Sequence, residues 1–144
     1  MDVDGTLTDG KVYIGSHGEE FKAFNIKDGL GIKLLMDKGI IPVIITGRNS
    51  EIVNIRAKEL GIEEVYQGIK DKLEVYKLIK EKYKLFDEEV AYIGDDLNDL
   101  PLMKKVGFSF CVADAVDAVS REVNYITKLN GGEGAVREAI EMIL

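Results

Sequence analysis

Met1-Asp2-Val3-Asp4-Gly5-Thr6-Leu7-Thr8-Asp9-Gly10 opens the chain and sets its reading. Two carboxylates stand two residues apart, and a glycine ends the extended run. On a strand, positions i and i+2 point to one side. Asp2 and Asp4 are therefore expected to share a small volume at a strand's C-terminal edge, where open α/β sheets bind ligands. Two like charges so placed call for a hard divalent cation, or for a proton held by one of them. Asp-Gly is also ordinary turn chemistry, and the motif alone leaves both accounts open. Only Met1 precedes Asp2, so the strand leading into the motif is expected to be a stub, and the start to be cut short.

Outward from this motif, short β-type runs alternate with helical ones. Residues 40–45, 65–66, 90–93, 108–112 and 125–126 read as strands, being short runs of β-branched and aromatic residues. Helices are expected over residues 28–36 with Asp28 as N-cap, over 50–60 with Ile52, Ile55 and Leu60 inward and Gly61 as the stop, and over 70–83 with Leu73, Tyr76, Ile79 and Tyr83 inward. Further helices are expected over 100–106, 115–121 and 134–144. Regular β-α alternation implies a parallel sheet with helices on both faces. Residues 11–24 break the pattern: two β-type runs flank Ser16-His17-Gly18, a hairpin after the first strand, with His17 an exposed tip residue.

Three further pieces follow, two of them at strand ends. Gly94-Asp95-Asp96-Leu97-Asn98-Asp99 follows the apolar run Val90-Ala91-Tyr92-Ile93. Asp99 can cap a helix with Pro101 in its first turn, but capping leaves Asp95 and Asp96 unexplained. Ile44-Ile45-Thr46-Gly47-Arg48 ends a second β-branched run in a hydroxyl and a guanidinium. Lys72 precedes an apolar-periodic helix and reads either as a site cation or as one of several solvated lysines.

The formal net charge of −7 argues against nucleic acid or an anionic membrane as partner. A phosphate substrate stays compatible, since a bound cation reverses the field locally. The single cysteine, Cys111, excludes an intrachain disulfide and any multi-cysteine metal site, and it reads as a core thiol. No apolar run approaches membrane-spanning length and no leader precedes the first motif, so the expectation is a soluble, cytoplasmic protein.

In this order and spacing the chain resembles the haloacid dehalogenase superfamily of phosphotransferases, on the Asp-x-Asp-Gly-Thr start, the strand-end Thr46, Lys72 and the Gly-Asp-Asp cluster. The resemblance spans essentially all 144 residues. It implies one domain over residues 1–144: a doubly wound, mainly parallel, Rossmann-like α/β sheet with the hairpin as its insertion and no cap domain. It further implies that Asp2 is the nucleophile and that Asp4 is general acid, then general base. Mg²⁺ would bind the Asp2 carboxylate, the Asp4 backbone carbonyl and Asp95. Thr46 and Lys72 would hold the phosphoryl group, with Asp96 and Asp99 behind them.

The hairpin, Thr8-Asp9-Gly10, Phe24-Asn25-Ile26-Lys27-Asp28-Gly29 and Gly131-Gly132-Glu133-Gly134 are similar to the capless 3-deoxy-D-manno-octulosonate 8-phosphate phosphatases of lipopolysaccharide sugar synthesis. That resemblance implies a phosphorylated sugar-acid substrate and a homotetramer packed through its hairpins. It also implies sugar-acid contacts from Asn25, Lys27, Asp28, Gly29, Lys33, Arg48 and Arg56, a guanidinium being well suited to a carboxylate. Arg56 reads equally as an exposed helical residue. Two alternatives stay open: a phosphatase for sialic-acid-type 9-phosphates, and a non-catalytic oligomerisation module of the same fold.

Overall fold

The computed structural model describes residues 1–19 and 21–144. Strands β3 (Val43–Ile45) and β4 (Glu64–Tyr66) pair in parallel, as do β5 (Ala91–Gly94), β6 (Phe108–Cys111) and β7 (Tyr125–Ile126). Met1 and Asp2 join the two sets. The Met1 amino terminus donates to the Val43 carbonyl at 2.8 Å, and the Ile45 N–H donates to the Met1 carbonyl at 3.0 Å. On the other side the Asp2 N–H donates to the Ile93 carbonyl at 3.1 Å. Backbone order is thus β4, β3, residues 1–2, β5, β6, β7. Residues 1–2 bridge the two sets of strands at the C-terminal edge. Behind Met1 the halves part around a cleft of about 380 Å³, lined by Pro42, Val43, Tyr76, Tyr92 and Ile93 among others.

Alternation along the strands explains why helices cover both faces. Ile44, Ile93 and Phe110 point into one core, and Ile45, Tyr92 and Cys111 into the other. Helices α1 (Ile26–Asp37), α2 (Glu51–Leu60) and α6 (Ala135–Ile143) bring Ile32, Val53, Ala57, Val136 and Ile140 to the first core. Helices α3 (Lys72–Tyr83), α4 (Leu100–Met103) and α5 (Asp117–Ser120) bring Val75, Ile79, Leu102 and Val119 to the second. Cys111 is buried there as expected. No helix among the described residues is long and apolar enough to cross a membrane.

Three local expectations are corrected. The α1 cap is Asn25, whose side chain accepts from the Lys27 N–H at 2.8 Å. Asp28 lies one turn inside, fully buried, and accepts instead from the Arg137 N–H at 2.8 Å. On α2 the inward stripe is Val53, Ala57 and Leu60, spaced i, i+4, i+7, which turns Ile55 outward to 62% exposure. Residues 40–42 are not strand; Pro42 has no N–H for a ladder, and β3 begins after it.

The hairpin is short: β1 (Ile14–Gly15) pairs antiparallel with β2 (Gly18–Glu19), and His17 is exposed at the tip. The part of the expected hairpin that falls on Glu20 lies outside the described residues. Tyr13 and Phe21 stack across it with centroids 4.4 Å apart, and Ile14 is 77% exposed.

Candidate active site

Every strand-end motif meets at one edge of the sheet. The strand character of the opening stops at Asp2; residues 3–8 form turns, so the alternation that would align Asp2 with Asp4 no longer applies. The two carboxylates go to different partners. Asp2 Oδ1 pairs with Lys72 Nζ at 2.9 Å. Asp4 Oδ1 pairs with Lys22 Nζ at 2.5 Å, and its Oδ2 faces Arg48 Nε at 3.9 Å.

The turn needs its glycine. Gly5 has φ +89°, and a Cβ there would meet Asp95 Oδ2 at 2.1 Å. Gly131 is required by close approach as well, since a side chain on it would meet the Gly5 carbonyl oxygen at 1.8 Å. The Gly131-Gly132 pair therefore lies directly on the Asp-x-Asp-Gly-Thr loop, where the Gly132 N–H donates to the Thr6 carbonyl at 3.0 Å. The Thr8 hydroxyl, buried beneath the turn, accepts from the N–H groups of Gly5 and Gly10.

Asp99 is the hub of the buried part. Its Oδ1 accepts from Lys72 Nζ at 2.6 Å and from the Tyr92 hydroxyl at 2.7 Å. Its Oδ2 accepts from the N–H groups of Asp95 at 3.0 Å and Asp96 at 3.3 Å. Both oxygens are thus committed to holding Lys72 and the Gly-Asp-Asp loop. Asp95 is fixed by the Thr6 hydroxyl at 3.1 Å. Asp96 turns outward, exposed, and accepts from the Leu97 N–H. Thr46 is buried at the end of β3, its N–H donating to the Tyr66 carbonyl, and its hydroxyl makes no hydrogen bond among the described residues.

This arrangement is short of positive charge. Carboxylate oxygens of Asp2, Asp95 and Asp99 all lie within 4.8 Å of one another, with one ammonium among them. Burial, and then the charges of Asp2 and Asp99, push the Asp95 carboxyl up to about 7. Burial and Asp99 raise Asp2 too, against the pull of Lys72. For Lys72 burial works against the charge, but Asp2 and Asp99 outweigh it and its proton is held more tightly than usual. Burial and the nearby Lys72 press the Met1 ammonium down to about 5. Oxygen-only donors with excess negative charge fit a hard divalent cation. Since Asp99 is spoken for, Asp2 and Asp95 are the side chains with oxygens to offer.

The residues expected to meet a sugar acid fall into two sets. Asn25, Asp28, Gly29 and Arg56 gather around a cavity of about 10 Å³ beneath Phe24, room for about one water. Asp28 Oδ2 has no partner among the described residues, and burial raises its carboxyl. Arg56 is neither free nor fully exposed: it bonds Glu59 at 2.9 Å and the Asn25 carbonyl at 3.4 Å, over the Phe24 ring. Lys27, Lys33 and Arg48 are exposed. Sequence reasoning missed Lys22, Tyr92 and Thr6. A signal existed for Lys22, because period-2 alternation in Phe21-Lys22-Ala23-Phe24 puts it on the inward side with Phe24. A signal existed for Tyr92 too, because a phenol in a core strand needs a buried partner.

Comparison with known proteins gives the family. A model of the haloacid dehalogenase-like hydrolases matches residues 50–140. The chain belongs to that family. It is 46% identical to the 3-deoxy-D-manno-octulosonate 8-phosphate phosphatase of Escherichia coli K12, over all of its own residues and 77% of the relative's. The crystal structure of the Yersinia pestis phosphatase of that name superposes with a TM-score of 0.97 at 48% identity, covering 99% of this chain and 77% of that one. The Moraxella catarrhalis enzyme, solved with a magnesium ion, a phosphate ion and a KDO molecule, gives 0.96 at 46% identity, over 99% and 82% of the two chains.

Proposed function

We propose that this chain is a Mg²⁺-dependent phosphatase that hydrolyses 3-deoxy-D-manno-octulosonate 8-phosphate through an aspartyl-phosphate. The observation that carries the reading is the buried Asp2–Lys72–Asp99 triad beside Asp95 at the sheet edge, in a chain with near-half identity to phosphatases of that name. Asp2 Oδ2 attacks phosphorus and the bond to the sugar oxygen breaks, while Asp4 gives that oxygen a proton. Asp4 then takes a proton from the water that hydrolyses the aspartyl-phosphate. Lys72, held by Asp99 and Tyr92, presents its charge to the phosphoryl oxygens, and the unengaged Thr46 hydroxyl donates to them. Mg²⁺, held by Asp2 and Asp95, supplies charge neutralisation between carboxylate and phosphate dianion.

The assembly is proposed to be a homotetramer packed through the exposed faces of Val12, Ile14 and Phe21, at work in the cytoplasm. The test is phosphate release, with Mg²⁺, from the eight-carbon sugar phosphate, a sialic acid 9-phosphate and an aryl phosphate. Preference for the first is the expected result. Preference for the nine-carbon acid would replace the substrate, and a folded protein inactive on all three would leave a non-catalytic module.

A further inference from the structure

The hairpin's return limb reaches into the site. Lys22 follows β2 by three positions, yet its side chain is only 2% exposed and its ammonium lies 2.5 Å from Asp4 Oδ1. Asp4 is set apart from the acidic group formed by Asp2, Asp95 and Asp99 and faces the hairpin instead. Its other oxygen faces Arg48 Nε at 3.9 Å, and the Arg48 side chain is 49% exposed.

Burying an ammonium is costly unless a carboxylate pairs with it closely. Lys22 lies outside the paired residues of the hairpin, Ile14–Gly15 and Gly18–Glu19. Asp4 needs holding: it stands in a turn, where a short side chain can swing between rotamers. A general acid works only within hydrogen-bond reach of the leaving oxygen, and a displacement of about 1 Å costs on the order of 100-fold. We infer that Lys22 is a positioning residue for Asp4: it fixes Oδ1, so that Oδ2 is the oxygen that gives and later takes the proton. The inference rests on the role proposed above for Asp4. It also ties the chemistry to the hairpin, since whatever shifts the return limb shifts the acid.

The test uses the full chain with Mg²⁺ and compares kcat/KM for the sugar phosphate with kcat/KM for p-nitrophenyl phosphate. This ratio reports on steps up to departure of the alcohol, and the nitrophenolate leaves without a proton. Lys22→Met should lower kcat/KM for the sugar phosphate about 30-fold and for the aryl phosphate less than about 3-fold. Lys22→Gln, which keeps a donor on a shorter stem, should recover part of the loss on the sugar phosphate alone. It serves as the readout if the methionine variant does not fold. Equal losses on both substrates, or none on either, would overturn the inference. Asp4→Asn separates the two levels. If it too lacks the substrate contrast, the acid role itself is wrong; if it has the contrast and the Lys22 variants lack it, only the Lys22 role is wrong.

Discussion

The stability that a divalent cation adds to this protein should grow as pH rises, in a window set by Asp95. Without metal its carboxyl titrates at about 7 in the folded state, against an ordinary 3.8. The folded form therefore holds that proton more tightly than the unfolded chain. Its stabilising effect is complete below the ordinary value and is lost progressively as pH climbs through about 7. A shift of about three units corresponds to about 4 kcal/mol as an upper bound, and water reaching the half-buried carboxylate reduces this to about 2–4 kcal/mol. Mg²⁺ takes the deprotonated form and removes the cost. The difference in Tm between Mg²⁺ and chelator should be small near pH 5 and level off above about pH 7, at about 5–15 °C for a chain of this size. Thermal unfolding followed by circular dichroism across that range measures it. The Asp95→Asn variant, with nothing to titrate there, should lose the pH dependence of that difference. A metal-induced shift of equal size at both ends of the range would refute the reasoning.

Asp2→Asn should lower phosphate release at least about 1,000-fold while leaving the metal-free Tm no lower than wild type, because one of three crowded charges is gone; retained turnover would remove Asp2 as nucleophile. Glu64 accepts from Lys82, from Tyr66 at 2.6 Å and from Tyr83 at 2.5 Å, and these bonds hold its carboxyl down at about 2. Its stabilisation is present above the ordinary 4.5 and lost as pH falls toward 2, so Glu64→Gln should cost about 1–2 kcal/mol at neutral pH, after allowance for solvent screening, and nothing in strong acid, by denaturant titration. Ile14→Asp, at a position 77% exposed on the hairpin, should lower the mass in light scattering; an unchanged mass would remove the hairpin as the assembly element.

Much of the fold was legible because the sheet is buried on both sides. Runs such as residues 43–45 and 90–93 carry no polar face, and that pattern belongs to a parallel strand covered by helices. The edges of the elements were less legible. Asp28 reads as the cap of α1 because aspartate is a good cap and stands before an apolar run. Three positions earlier Asn25 has the same chemistry, and only the packing of α6, which brings the Arg137 N–H onto Asp28, decides between them. Ile55 differs for another reason: an apolar residue on a helix of under three turns can be left outside when three others already fill the contact.

For the site, chemistry confined to strand ends was readable, because the ends of parallel strands converge whatever the intervening loops do. Asp2, Thr46 and Asp95 were each placed by that rule, whereas Lys72 opens α3, six residues past β4, and followed from the order of the family's motifs. The rule is silent on which way a carboxylate turns once the strand has ended. Asp4 and Asp99 exchange their expected surroundings for that reason: Asp99 stands inside the acidic group with both oxygens held, while Asp4 leaves it for Lys22. Lys22 is carried by a hairpin: alternation with Phe24 gives its side, but its partner appears only when the return limb folds back over the Asp4 turn. A lysine in an alternating aromatic run is ordinarily the solvent-facing residue. Here burial of its neighbour in register, Phe24, turns it inward. The acid of the reaction and the packing of the hairpin are then one structural problem, and a change in either is felt by the other.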